Sequence, residues 1–512
     1  MFYRMKELRY CAVALIALLL SACGSVNESL EKMIPADATG VVSIDVPGIL
    51  TKAQLLNDGE VSIPAELQEV IDGNDAAALC KVLTDLPVLG IDTNSKAFAF
   101  FTLKTFGRVL LVALNDEQAA RKTLSQRLGT DFAAVDGLDC IYQEDNLYVI
   151  NDKVLFVGTV NMPIEKEKAV RTAKGMFQRN TRSVLEVEEV NNCLLADNEI
   201  NAYFQLEGIK ALLKRSSTYK DIAKRMPLIE VFTESDIKAL TCAMKLNEDH
   251  ATLNTHFIVD ENSDYLKLMK ATITKPDSEF LKVIPNTMNY VVAMSVNGQQ
   301  FTQLAQIKQL LKTFGKIPII GRINLEQMLA TIDGPVAVAL SHDPYLEGEW
   351  NAVVAASSSN PDEVVNTIAH FAQSMGQAPE LYDNEYVYQY DNKMIKVGAN
   401  DGVVYMKMLN YEQTEGYAGD DAVMKDLFGN NAVAVSAHMP VGKTDAYFHY
   451  GLSDMIDGSG KFFTKDKTPV ALALLKVLCS IKPAQAFDDM FDDSDPAVSV
   501  IGAAIDGFHE LN

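Results

Sequence analysis

An internal echo constrains what this chain can fold into more than any other feature. Met33-Ile34-Pro35-Ala36 precedes the strand-like Val41-Val42-Ser43-Ile44-Asp45-Val46, and Val283-Ile284-Pro285-Asn286 precedes Val291-Val292-Ala293-Met294-Ser295-Val296, 250 residues later without a gap. Further echoes follow in the same order. Asn115-Asp116-Glu117 and Asn360-Pro361-Asp362-Glu363 each open a helical pattern, with an Asn cap and acids placed against the positive helix end. Asn151-Asp152 and Asn400-Asp401 each sit between apolar strands, which is hairpin chemistry. Ala202-Tyr203-Phe204 matches Ala446-Tyr447-Phe448, and Phe257-Ile258-Val259-Asp260 matches Ala503-Ala504-Ile505-Asp506. The landmarks keep offsets between 244 and 250. They predict two diverged tandem copies, 33–262 and 283–512, joined by a short polar helical connector, 263–282.

Within each copy, strand pairs alternate with amphipathic helices. Helical periodicity runs over Pro64–Leu83, Glu117–Leu128, Ile164–Phe177, Gly208–Lys214, Phe301–Phe314 and Val364–Met375. Strands come as neighbours with short turns, such as Ala97–Leu103 with Arg108–Leu114. Adjacent pairing favours antiparallel ladders over crossover units, so the expected class is α+β, antiparallel strand pairs packed by amphipathic helices.

The N-terminus carries an address. Arg4, Lys6 and Arg9 precede the uncharged run Cys11–Leu20, which is half the ~20 residues of a spanning helix and fits a signal-peptide core over 1–22. The following Leu20-Ser21-Ala22-Cys23 resembles the lipobox of bacterial lipoproteins. That resemblance implies cleavage before Cys23, a diacylglyceryl thioether on its sulfur and acylation of the new amino terminus. Several acyl chains anchor stably, because each buried methylene contributes ~0.8 kcal/mol and one chain alone binds marginally. Residues 23–32 are small and polar at their start, a flexible tether. Gly24 is not the Asp that retains such lipoproteins at the inner membrane, and Glu28 and Glu31 are too sparse and late for the acid-rich export run of Bacteroidetes. The expected address is the cell envelope, at the outer membrane, with periplasmic or surface facing left open. Met5 would serve as a start as well as Met1.

The formal net charge is −23, and losing residues 1–22 removes three basic side chains and one acidic, leaving −25. Such a surface argues against nucleic acid and against electrostatic docking on anionic lipid, so membrane attachment falls to Cys23. Of seven cysteines, Cys80, Cys140, Cys193, Cys242 and Cys479 remain once Cys11 is removed and Cys23 is lipidated. They are odd in number and lack metal-ligand spacing, so isolated buried thiols are expected, with one or two bridges open to an oxidising compartment.

Motifs with chemistry fail on their surroundings. Ala437-His438-Met439-Pro440-Val441-Gly442-Lys443-Thr444 fits a relaxed phosphate loop, but Thr444 runs into a strand-like segment where a helix N-terminus is needed, so Pro440-Val441-Gly442 is expected to be a turn. Ser217-Thr218-Tyr219-Lys220 has Ser-x-x-Lys spacing without the partner motifs of penicillin-recognising enzymes. Asp488–Asp495 is rich in carboxylates but lacks the alternating ligands and central Gly of a calcium loop, and is expected to be a solvated hairpin tip. His250 with His256, and His438 with His449, show no ligand spacing and are expected to be ordinary. No catalytic, metal or cofactor residues are expected. Tyr386, Tyr388 and Tyr390 alternate on one strand and share a face, which makes them a candidate binding platform beside the commoner use in core packing.

Lipobox, Ile-Pro-Ala-Asp opening and two-copy layout together resemble an uncharacterised Bacteroidetes lipoprotein family catalogued as a domain of unknown function. The resemblance implies an exported lipoprotein and transfers no catalytic residue. The expectation is a non-enzymatic envelope lipoprotein that binds a ligand, protein or glycan. The alternative is an envelope or glycan hydrolase whose mark would be two carboxyl groups with raised pKa in a cleft.

Overall fold

The structure, a computed structural model, describes residues 30–480 except 58–59, 73–85, 87, 103, 144, 162–163, 181, 216–232, 234, 305–306, 309–310, 312–323, 343–349, 375–378, 391–392 and 410–415. The leader, Leu20, Ser21, Ala22, Cys23, the Ser217–Lys220 motif and the Asp488–Asp495 run lie outside the described residues.

Local chemistry sets the elements. Helix α1 (Val46–Lys52) is followed by α2 (Ala65–Asp72), α3 (Glu117–Leu128), α4 (Lys166–Phe177), α5 (Glu188–Leu195) and α6 (Leu206–Arg215). Then come α7 (Asp264–Thr272), α8 (Gly298–Phe301), α9 (Leu325–Ala330), α10 (Pro361–Ser374), α11 (Ala422–Asn430) and α12 (Val470–Ser480). Helix α3 begins where the Asp116 carboxylate accepts from the amides of Gln118 and Ala119, both at 2.9 Å, and ends at Gly129 with φ +63°. Within the helix expected over Phe301–Phe314, the described residues Ile307, Lys308 and Leu311 are helical, and the short α8, capped by Asn297 and closed at Thr302, precedes them.

The strands of the first half are β1 (Gly40–Ile44), β2 (Leu56–Asn57), β3 (Glu60–Val61), β4 (Ala97–Phe101), β5 (Phe106–Ala113), β6 (Ala133–Val135), β7 (Leu138–Gln143), β8 (Asn146–Asn151), β9 (Val154–Val160), β10 (Ile200–Gln205), β11 (Ala239–Leu246) and β12 (His250–Ile258). Those of the second are β13 (Tyr290–Asn297), β14 (Ile332–His342), β15 (Trp350–Ser358), β16 (Glu380–Tyr382), β17 (Glu385–Tyr390), β18 (Lys393–Asn400), β19 (Val403–Leu409), β20 (Val433–Val441), β21 (Thr444–Leu452) and β22 (Asp457–Thr464). Four two-residue hairpin turns open with Asp, at Asp136-Gly137, Asp152-Lys153, Asp383-Asn384 and Asp401-Gly402. Both central residues have positive φ in each, the turn whose twist matches that of the flanking strands.

Apart from the small β2–β3 pair, the strands form one sheet of twenty, and every described pairing is antiparallel. In the first half the pairings run β6-β7-β8-β9-β5-β4-β1-β10-β11-β12. In the second they run β16-β17-β18-β19-β15-β14-β13-β20-β21-β22. The last strands of the two runs, β12 and β22, pair with each other, His250 opposite Phe463 and His256 opposite Asp457. The strand order therefore reads alike from either end.

This register corrects one sequence landmark. Ala202 lies opposite Val42, whereas the residue opposite Val292 is Val435 on β20. Ala446-Tyr447-Phe448 lies one strand farther out, on β21. The alternation of small and aromatic side chains recurs because half-buried strands select it, not because the positions correspond. Ala503–Asp506 lies outside the described residues.

One face of the sheet carries a core shared by both halves. Val42, Ile44, Ala99 and Val112 of the first half meet Ala446, Phe462 and the buried side of α12, and helices α1 and α2 pack on α12. Each fully buried Leu, Ile or Phe here contributes ~1.5–3 kcal/mol. On the opposite face, Phe98, Phe100, Phe106 and Phe156 form a core with α4 and α5, and Phe280, Tyr405 and Phe428 form another in the second half. Among the cysteines, Cys140, Cys193 and Cys242 are free thiols, while Cys479 is disulfide-bonded, so isolated thiols account for three of the four described.

Candidate functional site

Between the two cores of that opposite face, β20, β21, β22 and β12 leave a stretch lined by polar and aromatic side chains. The alternation that sends Met439, Ala446, Phe448, Phe462 and Ala251 into the shared core turns their neighbours outward. In register, His438 lies opposite Tyr447, Tyr447 opposite Phe463 and Phe463 opposite His250. Directly opposed residues share a face, so the four make one row across four strands, ~14 Å from first to last at the usual strand spacing. The His438 and Tyr447 rings stack at 4.5 Å and 8°, and Tyr447 and Phe463 at 5.4 Å and 14°. His449 meets the Phe463 ring edge-on at 5.2 Å. The Lys465 ammonium sits 4.0 Å from the Tyr447 ring centroid and that of Lys461 5.9 Å from Phe463.

Four of the chain's seven histidines thus share this face, two from each half. Three have carboxylate partners: His438 Nε2 to Asp445 Oδ1 at 2.6 Å, His250 Nδ1 to Asp249 Oδ1 at 2.6 Å and His256 Nδ1 to Asp457 Oδ1 at 2.7 Å. The second ring nitrogen of His438 is held by Asn289 at 3.4 Å, and that of His250 by Asn247 at 3.3 Å. With both nitrogens engaged, these two imidazoles are oriented as surfaces and hydrogen-bonding groups rather than poised for proton transfer. Tyr447 Oη donates to Asp445 at 3.2 Å, fixing the central ring. His449 lies deeper; burial pushes its pKa below the usual histidine range, with Lys465 and Lys461 acting the same way and Asp421 opposing. Among the described residues no group of three or more His, Cys, Asp or Glu could hold a metal ion.

Local pattern could not have found this row, because its members come from strands about 190 residues apart and only the β12–β22 register joins them. The available signal was the alternation Tyr447/His449 with Lys461/Phe463, a polar and aromatic face opposite an apolar one. The Gly-Lys of the phosphate-loop lookalike is a two-residue hairpin turn between Val441 and Thr444, with Gly442 at φ +59°; a turn stands there, but two residues later than Pro440-Val441-Gly442, since Pro440 and Val441 pair as strand residues. Of the three tyrosines, Tyr388 is buried and Tyr386 packs beside it in a cluster with Val364 and Val365 of α10, the packing use that stood as the commoner alternative, and Tyr386 Oη donates to Asn366 at 3.3 Å. A helix covers that face because α10 is amphipathic and needs it. The side chain of Tyr390 lies outside those described. Among the described carboxyl groups with a displaced pKa, Asp277 alone is raised, by burial, so the structure assembles no pair of such groups.

Among the described residues no helix is long and apolar enough to cross a membrane. No curated protein matches the chain. Crystal forms I and III of TP0453 are similar at 11% identity, over 46% and 50% of this chain and 80% and 90% of theirs, with TM-scores of 0.28 and 0.29. The DNA polymerase III beta chain of Streptococcus pneumoniae TIGR4 is similar at 8% identity over 83% of this chain and 99% of its own, with a TM-score of 0.11. The family model described as Domain of unknown function (DUF4836) matches residues 30–420, which span the first half and most of the second, and the chain belongs to that family.

Proposed function

We propose that this protein is a lipid-anchored envelope lipoprotein, built from two diverged copies, that binds a ligand or partner on the face where the copies meet and catalyses no reaction. The observation that carries the reading is the in-register row His438, Tyr447, Phe463 and His250, stacked, fixed by carboxylates and backed by the shared core. Stacked rings flanked by Lys461 and Lys465 offer π faces and cation donors, a surface for a sugar ring or for a planar or acidic group on a protein.

Duplication is supported by the identical order of strand pairings in the two halves. Lipidation of Cys23 rests on Leu20-Ser21-Ala22-Cys23 behind a charged and apolar leader, and the outer membrane of a Bacteroidetes cell is the setting that fits it. A disulfide at Cys479 suits an oxidising compartment.

The test purifies the lipidated protein from membranes beside a Tyr447→Ala, Phe463→Ala variant and identifies bound proteins, lipids and glycans by mass spectrometry. A component recovered with the parent and lost from the folded variant is expected; identical recoveries would overturn the assignment of the face. For the anchor, Cys23→Ala should abolish acyl labelling and leave the leader attached. Unchanged processing would sink the lipoprotein reading.

A further inference from the structure

A rim of lysines joins α12 to the histidine face. Lys443 stands in the turn between β20 and β21, Lys461 on β22, and Lys465 and Lys467 between β22 and α12. All four are exposed. They lead from one side of the sheet to the other. Lys443 attracts the carboxylate of Glu66, the partner of Lys476 on the shared-core side, while the ammoniums of Lys465 and Lys461 rest over the Tyr447 and Phe463 rings. Among the described residues no carboxylate lies within ion-pair distance of any of the four. The acids around them are engaged elsewhere. Asp445 holds His438 and Tyr447, and Asp466 accepts from the amides of Asp445 and Thr468, both at 2.6 Å. Asp249 holds His250, and Glu66 holds Lys476.

Carboxylates for this rim stand close by in the sequence. Residues 481–487 separate Ser480, the end of α12, from Asp488-Asp489-Met490-Phe491-Asp492-Asp493-Ser494-Asp495, which holds five aspartates in eight residues around an aromatic ring. Helix α12 lies over the strand ends at which the ring row stands, since Lys476 Nζ donates to Thr444 Oγ1 at 3.1 Å and Thr444 is three residues from Tyr447 on β21. Seven residues span up to roughly 25 Å when extended. Three strand residues cover ~10 Å and packed layers lie ~10 Å apart, so the acidic run reaches the ring side from the α12 side. Its composition, a phenyl ring flanked by carboxylates, complements rings flanked by ammoniums.

We infer that the acidic run 488–495 docks on the histidine face of its own chain, its aspartates on Lys443, Lys461, Lys465 and Lys467 and Phe491 against the Tyr447 and Phe463 rings, so that a partner binds only by displacing it. The inference rests on the reading of that face as a binding surface and supplies its regulation. Tethered by seven residues, the run competes at an effective concentration on the order of millimolar, which excludes weak acidic binders.

Zero-length carbodiimide cross-linking of the full chain at low concentration, mixed with an isotope-labelled copy and read by mass spectrometry, tests the docking with no partner present. Cross-links from Lys461 or Lys465 to the run within one chain are expected. Cross-links formed only between chains would make a second copy the occupant and overturn the inference, as would the absence of any from these lysines to the run. A full-length variant carrying Asp488→Asn, Asp489→Asn, Asp492→Asn and Asp493→Asn leaves every described residue unchanged. In it Lys461 and Lys465 should be acylated by an activated ester roughly tenfold faster than in the parent, as for a segment docked nine-tenths of the time, while the exposed Lys168 of α4 keeps its rate. Equal rates at Lys461 and Lys465 in the two proteins would overturn the docking. These measurements read the run alone, so a failure to recover any partner through Tyr447 and Phe463 would remove the partner and leave them standing.

Discussion

The Lys476 ammonium stands 2.6 Å from the Glu66 carboxylate, across 410 residues of sequence. Lys476 is 2% exposed on α12 and also donates to Thr444 Oγ1 at 3.1 Å, while Glu66 reaches it from the solvent side of α2. Hydrogen bonding and attraction from Lys476 hold the Glu66 carboxyl below its ordinary range.

That geometry makes the pair asymmetric. Glu66→Gln leaves a buried ammonium without its counter-charge, whereas Lys476→Met leaves a carboxylate that water can solvate. Thermal denaturation should show the larger loss in Glu66→Gln; a larger loss in Lys476→Met would mean the ammonium is solvated by another route. On the same helix, Leu475 is 2% exposed, and Leu475→Ala should cost about 2–5 kcal/mol. Because α12 completes a core drawn from both halves, that loss should appear in one cooperative transition and not as early melting of the second half.

Gly398→Ala should destabilise by about 1–3 kcal/mol, because the new methyl would meet Tyr405 Oη at 2.7 Å and Glu385 Cγ at 3.2 Å. Tyr405→Phe removes the nearer atom, so the double variant should lose less than the two single losses added together. Additive losses from urea denaturation would place the strain elsewhere.

His449 makes stability depend on pH. Its folded-state pKa is lowered by burial, so below the unfolded value of ~6.5 the unfolded chain binds the proton first. Stability from this residue is complete above that pH and falls as pH drops toward the folded value. Calorimetry at pH 7.5 and 5.0 should therefore show a smaller acid loss for His449→Gln than for the parent; equal losses would remove His449 as a source.

Burial pushes the thiols of Cys193 and Cys242 up to about 11, and the neighbouring Cys242 adds to the effect at Cys193. Both should alkylate slowly in the native protein at pH 7.5 and rapidly in denaturant. Cys479 should label only after reduction. A disulfide-linked peptide containing Cys479 should appear in a non-reducing digest, while Cys140, Cys193 and Cys242 should not be found in linked peptides. Rapid native labelling of Cys193 would contradict the packing of α5 against β10.

Local features were legible where the chemistry is local. Helix α3 runs over Glu117–Leu128 as its periodicity predicted, although Asp116 and not Asn115 caps it, and the expected pair of strands before it forms β4 and β5. The Asp-led turns come one residue later than the Asn-Asp pairs suggested, because Asn151 and Asn400 still pair as strand residues. What could not be read was register between distant strands. His250 meets Phe463 only through a pairing 213 residues long, and the Ala-Tyr-Phe echo misled because it repeats a strand chemistry rather than a place.

The pairing of β12 with β22 has a consequence for how the chain is made. The twelfth strand is complete by Ile258, yet its partner begins at Asp457, and the helix that closes the shared core follows at Val470. During synthesis the leading half waits with an unpaired edge and an open core until nearly the whole polypeptide has emerged. The first half to leave the ribosome is thus the last to be finished, and a chain cut short before α12 leaves both halves incomplete.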